Sequence, residues 1–186
     1  MKDIHSPILV TSIKAVQPGI LEAVRQALAS AFGLPTCTGP VLDDIDFAFH
    51  FSRNQYHSTA ILQALDQAVQ PSFQKILAVT DVDLFIPILT HVFGEAQMGG
   101  RAGLISTYRL WDDLPAQNPH QTFLHRVSKE AIHELGHTFN LRHCQDPACL
   151  MHYCRSMPDV DHKDQSFCRY CRILLDEALQ DLGSPG

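Results

Sequence analysis

Residues 133–143 concentrate the groups most able to do chemistry. In His133-Glu134-Leu135-Gly136-His137 two imidazoles stand four residues apart, and on a helix such residues are neighbours on one face. At about 100° per residue the pair points within about 40° of one direction, whereas Leu135 points away. Glu134 can then flank a metal held by the pair without joining it, the spacing in which a glutamate acts as general base on a metal-activated water. His143 follows six residues after His137. Continued helix would carry it about 9 Å onward, so the chain must turn to bring it back. Asn140 stands where that turn is needed, and Asn tolerates the left-handed conformation of a helix end best after Gly. Three neutral imidazoles plus one open position make a catalytic rather than a structural zinc site. From the composition such a pattern arises by chance in about 0.1% of sequences of this length, which sets the false-positive scale. The competing reading is a solvated helix with incidental histidines.

Cysteines supply a second set. Five of the six lie between 144 and 171. Cys144-x4-Cys149 and Cys168-x2-Cys171 have the separations of a four-thiolate zinc site. Disulfides or plain buried thiols are the alternatives, and a reducing compartment disfavours disulfides. Cys37 and Cys154 fit neither pair, although Cys154 is near enough in sequence to compete as a ligand. His143 and Cys144 are adjacent yet assigned to different metals; in extended chain successive side chains face opposite ways. The thiolate site would then hold the third histidine in place.

These residues need a scaffold. Ile8–Ala15 reads as a strand, and Pro18–Phe32 as an amphipathic helix begun by Pro18 and ended by Gly33. Ile45–Phe51 alternates like a second strand. Ser58–Val69 is helical, and Ile76–Val82 is a third strand. Strand–helix–strand–helix–strand implies right-handed crossovers and a parallel sheet covered by helices. His91–Gln97 and Gly103–Leu110 flank Gly99-Gly100 and read as an antiparallel hairpin. One arm could form an open edge, a solvated border or a place where an extended peptide is bound. Asn118-Pro119-His120-Gln121 predicts a helix start with an Asn cap, Thr122 being an alternative cap, and the helix runs to about Phe139 with Leu124, Val127, Ala131, Leu135 and Phe139 as its apolar stripe. From Arg142 to Asp164 periodicity disappears, and such a segment needs a staple; Phe167–Leu182 is helical again. The expected class is therefore α/β, a mixed, mainly parallel sheet with an antiparallel edge strand and flanking helices. Residues 1–140 would form the main subdomain and 141–186 a small zinc-stapled lobe.

Composition narrows the partners. Fourteen Lys+Arg against 20 Asp+Glu give a formal charge of −6, and residues 142–172 mix five cations with four Asp. Nucleic-acid binding needs clustered positive charge, so none is expected. No apolar run approaches the roughly 20 residues that span a bilayer, so no membrane partner is expected either. Residues 1–7 lack the apolar core of a signal peptide, and the expected location is the cytoplasm.

The string His133-Glu-Leu-Gly-His137-Thr-Phe-Asn-Leu-Arg-His143-Cys144, followed by Cys149-Leu-Met151 and Cys168-x-x-Cys171, resembles the archaemetzincins, a branch of the metzincin zinc peptidases. The resemblance covers about 39 residues. It implies a metzincin-like fold and two zinc ions per chain. His133, His137 and His143 would bind the catalytic zinc, and Cys144, Cys149, Cys168 and Cys171 the structural one. Glu134 would be the general base, and Met151 would occupy the methionine turn beneath the site. It also implies that the edge strand near 91–97 lines the substrate cleft. Two positions depart from the pattern: Asn140 stands where Gly is usual, and the 16 residues between Met151 and Cys168 are one fewer than expected. Tyr153, two after the methionine, matches a metal-assisting tyrosine of some metzincins, though a packed tyrosine is the plainer reading. The expected protein is a monomeric zinc metallopeptidase acting on peptides or proteins, with an aminopeptidase mode left open. A catalytically silent zinc module that binds peptides or a partner is the rival; it would have no need of Glu134.

Overall fold

The computed structural model describes residues 8–183; the amino-terminal stretch read above, residues 1–7, and residues 184–186 lie outside it. In chain order the elements are β1 (Ile8–Ile13), α1 (Pro18–Phe32), β2 (Thr36–Thr38), β3 (Phe49–His50), β4 (Gln55–His57), α2 (Ser58–Ala68), β5 (Lys75–Thr80), β6 (Leu84–Phe85), β7 (Gly94–Ala96), β8 (Ala102–Ser106), α3 (Pro119–Thr138), α4 (Met157–His162) and α5 (Arg169–Gly183). The main sheet runs β2-β1-β5-β8-β7. Its first four strands are parallel, and β7 lies antiparallel at the edge, with Glu95 opposite Leu104.

The strand pleat sorts the core into two layers. Ile8, Val10, Leu77, Val79 and Ile105 face α1 and α3, while Leu9, Ile13, Ile76, Ala78 and Leu104 face α2. A sheet covered on both faces needs apolar residues at nearly every position, and β5 and β8 are buried throughout. Among the described residues no helix is long and apolar enough to cross a membrane.

Four local expectations fail. The strand read over Gly103–Leu110 ends at Ser106, and a 3-10 turn at Tyr108–Trp111 follows it. The alternation of Ile45–Phe51 does not form a core strand. A 3-10 turn at Asp46–Ala48 precedes the two-residue β3, which pairs with β4 in a separate three-stranded sheet with β6. Ile45 is buried, but Phe47 and Phe51 are 59% and 88% exposed; aromatics two apart satisfy a strand period without any surface to cover them. Asn118 precedes α3 as expected, but in the left-handed region (φ 54°) and with no side-chain cap bond, so Pro119 carries that start signal. Finally, the irregular stretch after 142 contains α4, begun by a capping box in which Asp159 reaches back to the Ser156 N–H.

α3 has an apolar stripe in sequence, yet Lys129 to Thr138 are all buried. The stripe faces α1 and the sheet, while the polar side meets the segment after 142. Cations make that second contact. Arg126 forms a two-point bond to Asp161 (2.8 and 2.7 Å), and Lys129 donates to the Val160 and Asp161 carbonyls (2.9 and 3.1 Å).

Candidate active site and metal centres

The end of α3 makes the turn that the histidine spacing demands. Asn140 adopts φ 64°, its N–H donates to the His137 carbonyl (2.9 Å), and the Leu141 N–H donates to Gly136 (3.2 Å). This pair of bonds is the Schellman closure of a helix, here with Asn in the left-handed position. The chain turns back after Asn140, and the His143 ring comes to lie against those of His133 and His137.

The three rings form one cluster, with centroids 4.7, 5.3 and 4.9 Å apart. His133 Nδ1 donates to the Leu150 carbonyl (2.9 Å) and His137 Nδ1 to the Leu141 carbonyl (2.7 Å). Both bonds fix the tautomer that leaves Nε2 as a lone pair. The two Nε2 atoms are 3.2 Å apart. Ligands about 2.05 Å from a tetrahedral zinc must lie about 3.3 Å from one another, so the pair fits that ion. Burial lowers the pKa of His133, His137 and His143, and neutral imidazole is the form that ligates.

The four cysteines of the two sequence pairs also converge, their sulfurs all within 4.8 Å of one another. Cys144 and Cys168 Sγ are 3.8 Å apart, matching the separation of about 3.8 Å for thiolates 2.3 Å from a tetrahedral zinc. Backbone N–H groups of Cys168 and Cys171 point at Cys149 and Cys168 Sγ (3.3 and 3.5 Å). Burial still raises the pKa of the Cys149 thiol, and the N–H bond opposes that, while the pKa of the Cys168 thiol is lowered. Cys154 stands outside this group. It lines the cleft instead, with burial pushing its thiol up to about 11.

Adjacent His143 and Cys144 face the two different clusters. The Cys144 N–H donates to the Met151 carbonyl (2.9 Å), and His152 Nδ1 donates to the Cys144 carbonyl (2.9 Å). Met151 is fully buried, its sulfur lying against Gly136 of α3. A Cβ at Gly136 would come within 2.8 Å of that sulfur, so a side chain there would have to displace the end of Met151. Tyr153 packs its ring 4.9 Å from that of His143 while 41% exposed.

Glu134 is buried beside the histidines on the floor of a cleft of about 640 Å³. One wall is Phe93–Ala96, and the other is formed by Tyr153, Cys154 and Arg155. Burial raises its carboxyl pKa well above the ordinary value; Glu130 and Glu95 add to this and the Lys163 ammonium opposes it.

Two charged neighbours of the cleft escaped the sequence reading. Lys163 and Glu130 form an ion pair (2.8 Å) with side chains 1% and 4% exposed, on the cleft floor. Glu130 could have been noticed, since it sits one turn before Glu134 on the same face of α3. Lys163 could not, because its partner is 33 residues away. Lys163→Met should lower stability by about 3–5 kcal/mol, because it strands a buried carboxylate. Lys163→Met/Glu130→Leu should lose less. Urea midpoints of the three proteins check this, and an equal loss in both variants would show that packing, not charge pairing, matters there.

This architecture and this residue set have counterparts. A sequence model described as peptidase family M54 matches residues 12–177. An archaemetzincin of Methanocaldococcus jannaschii is 36% identical over 178 residues, 95% of this chain and 94% of the relative. The crystal structure of an archaemetzincin from Methanopyrus kandleri superposes with a TM-score of 0.84 at 30% identity, over 97% of this chain and 98% of that one. The crystal structure of a zinc-dependent peptidase from Methanocorpusculum labreanum superposes with a TM-score of 0.77 at 28% identity, over 90% of this chain and 99% of that one. The chain thus belongs to peptidase family M54, the archaemetzincins, a family of zinc metallopeptidases.

Proposed function

We propose that this chain hydrolyses peptide bonds at the His133–His137–His143 cluster, with Glu134 as general base. The observation that carries the reading is the 3.2 Å approach of two Nε2 atoms, tautomers already fixed, beside a buried carboxylate on a cleft floor. Zinc, when bound by the three imidazoles, would polarise the scissile carbonyl and lower the pKa of a water. The protein's own part is positional. The Leu150 and Leu141 carbonyls hold two of the rings, and α3 places the Glu134 carboxylate one residue from His133. Glu134 takes a proton from the attacking water at a carboxylate oxygen and returns it to the leaving amine. A carboxyl whose pKa is raised by burial is suited to carry that proton.

Substrate would lie along β7. The Ser106 N–H donates to the Phe93 carbonyl (2.8 Å) and the Gln97 N–H to the Ala102 carbonyl (2.9 Å). Antiparallel pairing alternates, so Phe93, Glu95 and Gln97 bond inward and the backbone groups of Gly94 and Ala96 point out of the edge. An extended peptide can add there as a strand. The cysteine cluster supports a second, structural zinc that staples residues 144–171 to the start of α5.

Two zinc ions per chain are expected by elemental analysis of freshly purified protein, with turnover of a mixed peptide library that chelation abolishes and zinc restores. One metal per chain would break the two-site picture. Two metals with no turnover of any peptide would favour the silent binding module.

A further inference from the structure

The edge strand approaches Glu134 more closely than any residue but glycine allows. A Cβ built on Gly94 would lie 2.6 Å from Glu134 Cγ and 2.9 Å from its Cδ, distances at which carbon atoms overlap. It would also lie 2.7 Å from the Leu104 carbonyl oxygen on the neighbouring strand. The bare backbone of Gly94 is therefore a wall against which the glutamate side chain rests.

That wall is braced from behind. Gly94 pairs with Ile105 and faces α3, so the next residue, Glu95, faces the opposite side of the sheet. There the Ser58 and Thr59 hydroxyls at the start of α2 donate to the Glu95 carboxylate, Thr59 at 2.8 Å. The hairpin is fastened at its turn as well. The Gly99 N–H donates to the His137 carbonyl (2.9 Å), and Lys75 Nζ donates to the Gly100 and Thr138 carbonyls (2.8 and 2.6 Å). With β7 tied at Glu95 and at its turn, a methyl at 94 meets two obstacles: the Glu134 side chain, which can move, and the Leu104 carbonyl, whose contact persists wherever Glu134 goes.

We infer that Gly94 is a positioning residue for the peptidase reaction: its missing side chain sets where the Glu134 carboxylate sits relative to the histidine cluster and to a peptide on β7. The inference deepens the metallopeptidase reading and rests on it. It does not involve substrate specificity, since Gly94 offers substrate only backbone.

A stability cycle tests the contact without any turnover. Gly94→Ala is measured in the zinc-loaded wild type and in Glu134→Ala, which removes the Cγ and Cδ that the new methyl would strike. The expected result is a clear fall in the urea midpoint in the wild-type background, at least halved in Glu134→Ala; coupling between touching residues is what such a cycle isolates. An equal fall in both backgrounds overturns the inference and leaves Gly94 as a sheet residue pressed only on Leu104. Should Gly94→Ala not fold, recovery of folding in the double variant supports the contact, and failure of the double variant overturns it. Kinetics then separate positioning from general damage. In Gly94→Ala kcat should fall about 10- to 100-fold, as expected for a misplacement near 1 Å, with KM and both zinc ions retained. In Glu134→Gln the same substitution should cost no further activity. If the wild type turns over no peptide, the proposed function fails while the stability cycle still decides the role of Gly94.

Discussion

Glu134→Gln should reduce peptide turnover by about 10²- to 10⁴-fold while leaving the fold and the metal content intact. The substitution keeps shape, so the contact of Glu134 with Gly94 and its place on the cleft floor are preserved. What is lost is the proton acceptor, worth about 3–5 kcal/mol of barrier for general-base catalysis. Substrate affinity should change little, because the polar backbone of β7 is untouched. Stability should hold or rise slightly. The carboxyl is buried and its pKa raised, so folding of the charged form carries a cost that a neutral amide does not. Rates on a peptide library, measured with zinc content and thermal midpoints, decide the matter. Equal rates in both proteins would mean that another group is the base, and loss of zinc in the variant would mean that Glu134 holds metal directly.

The second large effect should separate the two proposed metal centres by what their loss does to the fold. Cys171→Ser should release one zinc and cost several kcal/mol, since structural zinc binding, about 10–16 kcal/mol in small zinc modules, is itself folding free energy. The segment it staples is poor in apolar material: between Arg142 and Asp164 the buried hydrophobic residues are Cys149, Leu150, Met151, Met157 and Val160. His137→Ala should release the other zinc at a smaller cost. Its Nδ1–H bond to the Leu141 carbonyl is lost, which costs about 1–3 kcal/mol for a buried acceptor left unpaired. The helix itself stays anchored by Phe123, Val127, Ala131 and Leu135, all fully buried; a large aliphatic such as Leu contributes about 1.5–3 kcal/mol. Zinc content and urea unfolding of both variants give the answer. If the histidine variant unfolds and the cysteine variant does not, the structural and catalytic roles are reversed.

Several features of this site are local in the chain and so were readable from it. His133, Glu134 and His137 lie within one helical turn, where spacing alone dictates direction. The turn to His143 depends on Asn140, a single residue with a known conformational preference, and it is found at φ 64°. The order of β1, α1, β5, α3 and the β7–β8 hairpin follows from periodicity and from Gly99-Gly100, because each pattern is imposed within a few residues. The two cysteine pairs are local in the same sense, although their convergence spans 27 residues.

Contacts between distant segments were decided only in three dimensions. Nothing in the period of Ile45–Phe51 tells that Phe47 and Phe51 have no layer to cover them. α3 looks amphipathic by itself, yet both of its sides are buried, because Arg126, Lys129 and Glu130 meet groups from 160–163. The Lys163–Glu130 pair has no signature, since the charges are 33 residues apart and their burial depends on the segment after 142 folding back on α3. Gly94 reads in the chain as an ordinary break in a short strand. It becomes necessary only when β7, braced on α2 through Glu95, is pressed against Glu134. Sequence periodicity specifies which way a side chain leaves its own backbone. It carries no information on how near another backbone will come, and that distance is what turns a glycine into part of the site.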